Sequence, residues 1–299
     1  MRKPIKKNGF RREHWRSLGF IWVVLIPILI QYTLTSMVPM VMSFVLTLTD
    51  WSLLGMKHYI GLANWKRLLG DPEVWNSLKV TVIYALYVVI PVVVFGLILA
   101  LIINQKRKFV GLYKGIYFFP VITSSIVLAS IWKWLFVATD TGVINQLLGL
   151  FGIPPQFFFG KDLALFTVAL LGIFQSLGTS MIYFYAGLKG ISMELIEAAK
   201  VDGSNPAWNF FHIHLPLISP QLKMLIITTF IGAVQDYGGV LLLTSGGPGY
   251  TTYVPGLELY FAATKFGQYG YACAMGLVMF VVILIGSLLN LRIKTQDMN

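Results

Sequence analysis

Six apolar stretches of this chain that read as membrane spans carry no charged side chain: Leu18 to Thr49, Val80 to Gln105, Gly115 to Trp132, Leu163 to Leu188, Met224 to Gln235 and Phe266 to Leu291. A helix needs about 20 mainly apolar residues to cross a bilayer, and each run reads as one such helix. The third is expected to extend past Lys133 to Val137, with the lysine stem reaching toward an interface. The fifth is expected to continue through Asp236 to about Thr244. The first is longer than one span requires, so part of it reads as an extension. A hydrophobic share of 57% with only 12% charged residues, against roughly 25% charged in soluble domains, excludes a water-soluble surface. The basic start, Arg2 to Arg16, precedes an apolar run too long for a signal-peptide core and lacks a small-residue cleavage site, so it is expected to stay as an anchor. The reading is all-α integral membrane protein with six transmembrane helices. It divides into a basic tail over 1–17, the first helix with an outer loop over 18–73, a five-helix core over 74–292, and a tail over 293–299.

The net charge of +11 does not point to nucleic acid, because the basic residues fall between apolar runs rather than on one amphipathic face. They report topology instead. With the N-terminus inside, the inner segments carry 16 Lys and Arg, from Arg2 through Lys106, Arg107, Lys108, Lys114, Lys189, Lys200 and Lys223 to Lys294. The outer ones carry 5, namely Lys57, Lys66, Arg67, Lys161 and Lys265. Both termini and the 189–223 segment are therefore expected in the cytoplasm. The basic tail is also suited to anionic lipid. The single Cys273 lies in an apolar run and reads as a packed thiol.

A polar island interrupts this pattern between the fourth and fifth runs. Ser192 is placed to cap a short helix, Glu194 lies in its first turn, and Gly203 is placed to close it in the left-handed conformation. Asn205 then caps a second helix with Pro206 at its first position, running through Trp208, Phe210 and Phe211 to Leu215-Pro216. Ala198 and Ala199 allow close approach beside the charged Glu197 and Asp202, which reads as a docking surface for something soluble.

Glu197-Ala198-Ala199, Asp202-Gly203, Phe210, Ile213, Leu215-Pro216 and Pro220 resemble, in order and spacing, the EAA motif of binding-protein-dependent ABC importer permeases. Ser204 stands where alanine is common in that motif. Two further segments resemble the carbohydrate branch, with its maltose-type and glycerol-phosphate-type permeases. One runs from Thr49-Asp50-Trp51 through Gly61-Leu62-Ala63-Asn64-Trp65 to Asp71-Pro72, the other from Leu243 to Gly249. The resemblance implies a type I importer permease, acting on a sugar or sugar derivative, not itself an enzyme. It also implies partners: a second permease subunit, two ATPase subunits holding ATP and Mg, and an extracytoplasmic substrate-binding protein. In that scheme Glu197, Ala198, Ala199, Asp202, Gly203, Leu215 and Pro216 couple the chain to the ATPase. The chain has no Gly-x-x-x-x-Gly-Lys-Ser/Thr phosphate loop of its own.

Three other groups are singled out by chemistry. The turn Gly246-Gly247-Pro248-Gly249 falls at the outer mouth and is expected to meet the binding protein, a tight turn without a partner being the alternative. Asp236 lies within an apolar run between Gln235 and Tyr237, and a carboxylate at depth costs about 2.5–3.5 kcal/mol on insertion scales. Such a group faces a cavity or a partner, a structural hydrogen bond near the outer end of the fifth span being the alternative. Gln175 and Tyr183, eight residues apart on the fourth run, add an amide and an aromatic ring to this candidate substrate path, with helix packing as the alternative. His212 and His214 are two apart and point away from one another, so no metal site is expected, and no nucleophile motif is present. An ion-coupled secondary transporter acting alone remains the rival function, disfavoured by the scarcity of acids within the runs. A non-transporting scaffold would need neither Asp236 nor ATP.

Overall fold

The computed structural model describes residues 21–52, 55, 58–105, 108–139 and 141–292. The basic residues Arg2 to Arg16 and the 1–17 tail, Lys57, Lys106, Arg107, Lys294 and the 293–299 tail lie outside the described residues. Among the described residues the chain is helical, with only isolated bridges such as Thr49 to Tyr59 in place of strands. Four helices are long and apolar enough to cross a membrane, and six spans result if each of two bent pairs counts as one.

The first span, α1 (Ile21–Leu46), has no buried residue in its apolar window. It contains a π-helical turn at Thr33–Met37, ahead of Pro39, whose missing N–H removes one i→i−4 bond. Helix α2 (Ala63–Gly70) follows, and its Asn64 side chain donates to the carbonyls of Thr47 and Thr49, both at 2.9 Å, which ties the intervening loop to it. Helix α3 (Pro72–Gln105) opens with Asp71 accepting from the Glu73 N–H at 2.8 Å, so it starts before the charge-free run does. Its 34 residues span about 50 Å at 1.5 Å per residue, more than the roughly 30 Å hydrocarbon core.

The third run is not one helix. It forms α4 (Val110–Ile122) and α5 (Ser125–Leu135), bent by 97°. Thr123 and Ser124 are both extended, with ψ of 141° and 131°, just past the helix end at Ile122. Two consecutive extended residues turn the chain, a feature that an uninterrupted apolar run conceals. Short α6 (Val143–Gly149) is organised by the buried Asn145, whose amide donates to the carbonyls of Val137, Thr139 and Gln156.

The fourth run is α7 (Ala164–Lys189), then α8 (Met193–Val201) and α9 (Pro206–Leu217) form the island, and α10 (Ser219–Gln235) re-enters the bundle at 65° to α9. The expected continuation through Asp236 is broken. Asp236 is extended at ψ 114°, and a separate α11 (Gly238–Leu243) begins after it. The Gly238-Gly239 pair weakens helix formation there, and the Asp236 carboxylate accepts from the Gly239 N–H at 3.3 Å as a cap. Helices α12 (Pro255–Thr264) and α13 (Tyr269–Leu291) complete the chain.

Helices α3 and α7 form the central pair. They approach closely where residues are small: a Cβ on Gly96 would lie 2.2 Å from Ser180 Oγ, which instead donates to the Val92 carbonyl at 2.9 Å. Close approach through small residues is how helices associate in lipid, where apolar burial gives no net drive. Around this pair Tyr84, Val88, Val168, Leu171, Val240 and Leu257 form one core, and Ala100, Phe184, Leu188, Ile218 and Leu225 form another beneath the island.

Candidate functional site

The island is built by its caps. Ser192 Oγ accepts from the Glu194 N–H at 3.2 Å, and Asn205 Oδ1 accepts from the Trp208 N–H at 2.8 Å. Between them Gly203 sits at φ +83°, where the Ser204 N–H bonds the Ala199 carbonyl and the Gly203 N–H bonds the Lys200 carbonyl, both at 3.0 Å. This is a Schellman closure. The two helices meet around a groove of about 540 Å³, lined by Ala198, Ala199, Asp202, Gly203 and Ser204 on one side and Trp208 and Ile213 on the other. Glu197 is exposed beside it, whereas Leu215 and Pro216 are half-buried at the root of the loop, next to the fully buried Ile218.

Within α9 the backbone loosens into a π-turn over Phe210–His214. Nδ1–H of His212 donates to the Trp208 carbonyl and Nδ1–H of His214 to the Asn209 carbonyl, each at 3.0 Å, and the His212 ring stacks on Trp208 at 4.4 Å. The histidines are thus engaged locally. Among the described residues no three His, Cys, Asp or Glu side chains converge as a metal would require.

Inside the bundle a cavity of about 460 Å³ is lined by α3, α7 and α10 and reaches the break at Asp236. Gln175, Gln235 and Asp236 line it together; Tyr183 and Tyr237 do not. Eight residues on a helix advance about 80° past two full turns, enough to carry Tyr183 out onto an exposed face. Tyr237 is exposed and stacks on Tyr260 at 5.2 Å. The side chain that completes the site is Tyr84, whose hydroxyl donates to Asp236 Oδ2 at 2.5 Å. Ser176, Thr179, Thr228 and Thr229 also line it. Their signal in the sequence is helical spacing: Gly172, Gln175, Ser176 and Thr179 recur at three and four along one apolar run. Tyr84 carries no comparable signal, being one aromatic among many.

At the opposite end of the bundle from the island, Ser245, Gly246, Gly249 and Tyr250 all have positive φ, and the Gly247–Pro248 bond is cis. A Cβ on Gly246 would lie 2.5 Å from the Tyr253 ring, so this position requires glycine on space as well as on conformation. Thr252 Oγ1 donates to the Gly247 carbonyl at 2.9 Å and fixes the turn. Gly246, Gly247 and Gly249 line a surface depression of about 550 Å³ with Arg67, Asp71, Glu73, Glu258 and Lys265, and Pro248 stands outside it. Burial and a hydrogen bond to Glu258 hold the Tyr253 phenol well above its usual range. The charged residues of this depression come from two distant stretches, 67–73 and 258–265, and could not be grouped from the sequence.

Comparison with known proteins gives a consistent result. The family described as binding-protein-dependent transport system inner membrane component matches residues 92–295. A probable ABC transporter permease protein, YesP of Bacillus subtilis, is 34% identical over 284 residues, covering 93% of this chain and 90% of its own length. The arabinooligosaccharides transport system permease protein AraP of the same organism is 28% identical, covering 97% and 93%. The trehalose/maltose transport system permease protein MalF of Thermococcus litoralis is 28% identical, covering 93% and 95%. Among solved structures, a chain of a bacterial alginate ABC transporter, in complex with an alginate pentasaccharide-bound periplasmic protein, superposes with a TM-score of 0.80. It does so at 20% identity over 93% of this chain and 94% of that one, a likeness of fold.

Proposed function

Because the chain belongs to the family of binding-protein-dependent transport system inner membrane components, we propose that it is the permease subunit of an ATP-driven importer of a sugar, oligosaccharide or sugar derivative. The relatives whose names specify arabinooligosaccharides and trehalose/maltose support the substrate class. One structural observation carries the mechanism. Helices α7 and α10, which line the intramembrane cavity, are the same two helices from which the island hangs, α7 ending at Lys189 and α10 beginning at Ser219. A displacement of the island is therefore transmitted along two rigid helices to the cavity wall.

In this reading the groove over Ala198, Ala199, Asp202 and Gly203, with Glu197 beside it, receives a cytoplasmic ATPase subunit, and Leu215 and Pro216 anchor the loop to the bundle. ATP and Mg act on that ATPase. Its closure moves the spans from inward-facing to outward-facing. The cavity presents hydroxyl, amide and carboxyl groups at the middle of the spans, with Thr228 and Gln235 exposed. Such a surface is not stable against lipid, and a second permease subunit facing it would enclose an aqueous path. Gln175, Gln235 and Asp236 contribute to that path, with Tyr183 and Tyr237 flanking it. The glycine turn Gly246 to Gly249 at the far end contacts an extracytoplasmic binding protein. The island is cytoplasmic, as are both termini.

The test is reconstitution of the chain with a second permease, the ATPase and the binding protein in vesicles. Uptake is expected only with all components and ATP. Uphill uptake by the isolated chain, driven by a proton or sodium gradient, would establish the secondary-transporter alternative instead.

A further inference from the structure

The intramembrane cavity is polar without being basic. Gln175, Ser176, Thr179, Thr228, Thr229 and Gln235 line it, Asp236 contributes a carboxylate, and among the described residues no Lys, Arg or His does so. Hydroxyls and amides both donate and accept hydrogen bonds, so this wall matches a neutral polyol. It lacks the guanidinium and ammonium donors that hold an anionic group most strongly.

Asp236 is also held in a prepared state. Its Oδ2 accepts from Tyr84 at 2.5 Å and its Oδ1 from the Gly239 N–H at 3.3 Å. Room for the phenol depends on Gly172, where a Cβ would lie 2.9 Å from Tyr84 Oη. The Tyr84 ring is buried at 1% exposure, while its hydroxyl reaches the cavity wall. The Tyr84 hydroxyl therefore stands in front of the carboxylate, in the position that a substrate hydroxyl would take.

We propose that this cavity selects uncharged saccharides, Asp236 accepting a substrate hydroxyl in exchange for that of Tyr84 and repelling uronate, aldonate or sugar-phosphate groups. The inference rests on the permease reading above and adds the charge class of the substrate. A second negative charge within several ångströms of Asp236, at the effective dielectric of a partly hydrated site, lowers occupancy on the order of tenfold or more.

The experiment removes the binding protein's own selectivity from the readout. In the assembled, purified transporter carrying Cys273→Ser and Ser176→Cys, position 176 is labelled with N-ethylmaleimide in the presence of neutral trisaccharides (maltotriose, cellotriose, arabinotriose) or their aldonic acids. A neutral sugar of about millimolar affinity is expected to slow labelling about fivefold at about 5 mM, and its acid to have little effect. Asp236→Asn should remove the difference, and Asp236→Glu should keep it. Equal protection by a sugar and its acid in the otherwise native protein, protection by none of the neutral sugars, or an undiminished preference in Asp236→Asn would each overturn the proposal. If Asp236→Asn fails to assemble, the native and Asp236→Glu comparisons still decide. Whether the ATPase co-purifies is scored separately: its absence with charge discrimination intact overturns the permease reading and leaves this inference standing.

Discussion

Asp50 and His58 close the loop after the first span through one carboxylate, which accepts from the His58 N–H at 2.7 Å and lies 3.3 Å from the His58 ring. The backbone hydrogen bond, more than the ring, holds the Asp50 carboxyl below its ordinary range. A group depressed in this way contributes stability that is complete above its unfolded pKa of about 4 and lost as pH falls through the lower folded value. Proteolytic nicking between residues 50 and 60 should therefore rise only in acid below about pH 4, and Asp50→Ala should show the acid level of nicking at neutral pH. Gly203 makes a second residue-scale prediction. With φ at +83° and no neighbour to obstruct a side chain, Gly203→Val should cost about 1–2 kcal/mol from backbone strain alone, whereas Gly203→Asn should be largely tolerated. Co-purification of the ATPase with each variant checks it. Gly203 was legible without coordinates, because a left-handed helix end involves residues only a few places apart, whereas the Asp50–His58 contact emerged only from the structure.

Elements were legible in their existence and less so in their continuity. The run from Gly115 to Trp132 reads as a single span, yet Thr123 and Ser124 fold it back by 97°. Both half-helices remain apolar, so hydropathy does not register the corner. Asp236 interrupts the fifth span in the same manner, and there the sequence did carry the cue, an acid followed by Gly238-Gly239. What joins the elements is close approach. A Cβ on Gly178 of α7 would lie 2.1 Å from the Tyr117 carbonyl oxygen of α4, a backbone atom that cannot swing aside. Gly178→Ala should therefore force α4 and α7 apart at a cost of about 1–3 kcal/mol, read as a lowered thermal midpoint in detergent. Gly115→Ala, with nothing within 4 Å of the added methyl, should leave that midpoint unchanged or raise it slightly.

For the whole molecule, the proposed orientation sends the 189–223 island and the 150 region to opposite faces of the membrane. A phosphatase reporter that works only outside the cytoplasm should be active when fused at residue 150 and silent at residue 203; the reverse would invert the topology and move the ATPase groove outside. The sequence alone determined where the apolar runs lie, the basic asymmetry on which the proposed orientation rests, the caps that shape the island and its Gly203 closure. Each of these depends on side-chain hydrophobicity summed along a run, or on a side chain reaching its own neighbouring backbone. Tertiary structure alone decided that Tyr84 meets Asp236 across 152 residues, that Gln175 faces their cavity while Tyr183 turns away, and that α7 and α10 link this cavity to the island. Those pairings follow from the rotation and tilt of whole helices, which are set where glycine and serine let backbones touch, and no local stretch of sequence contains that information.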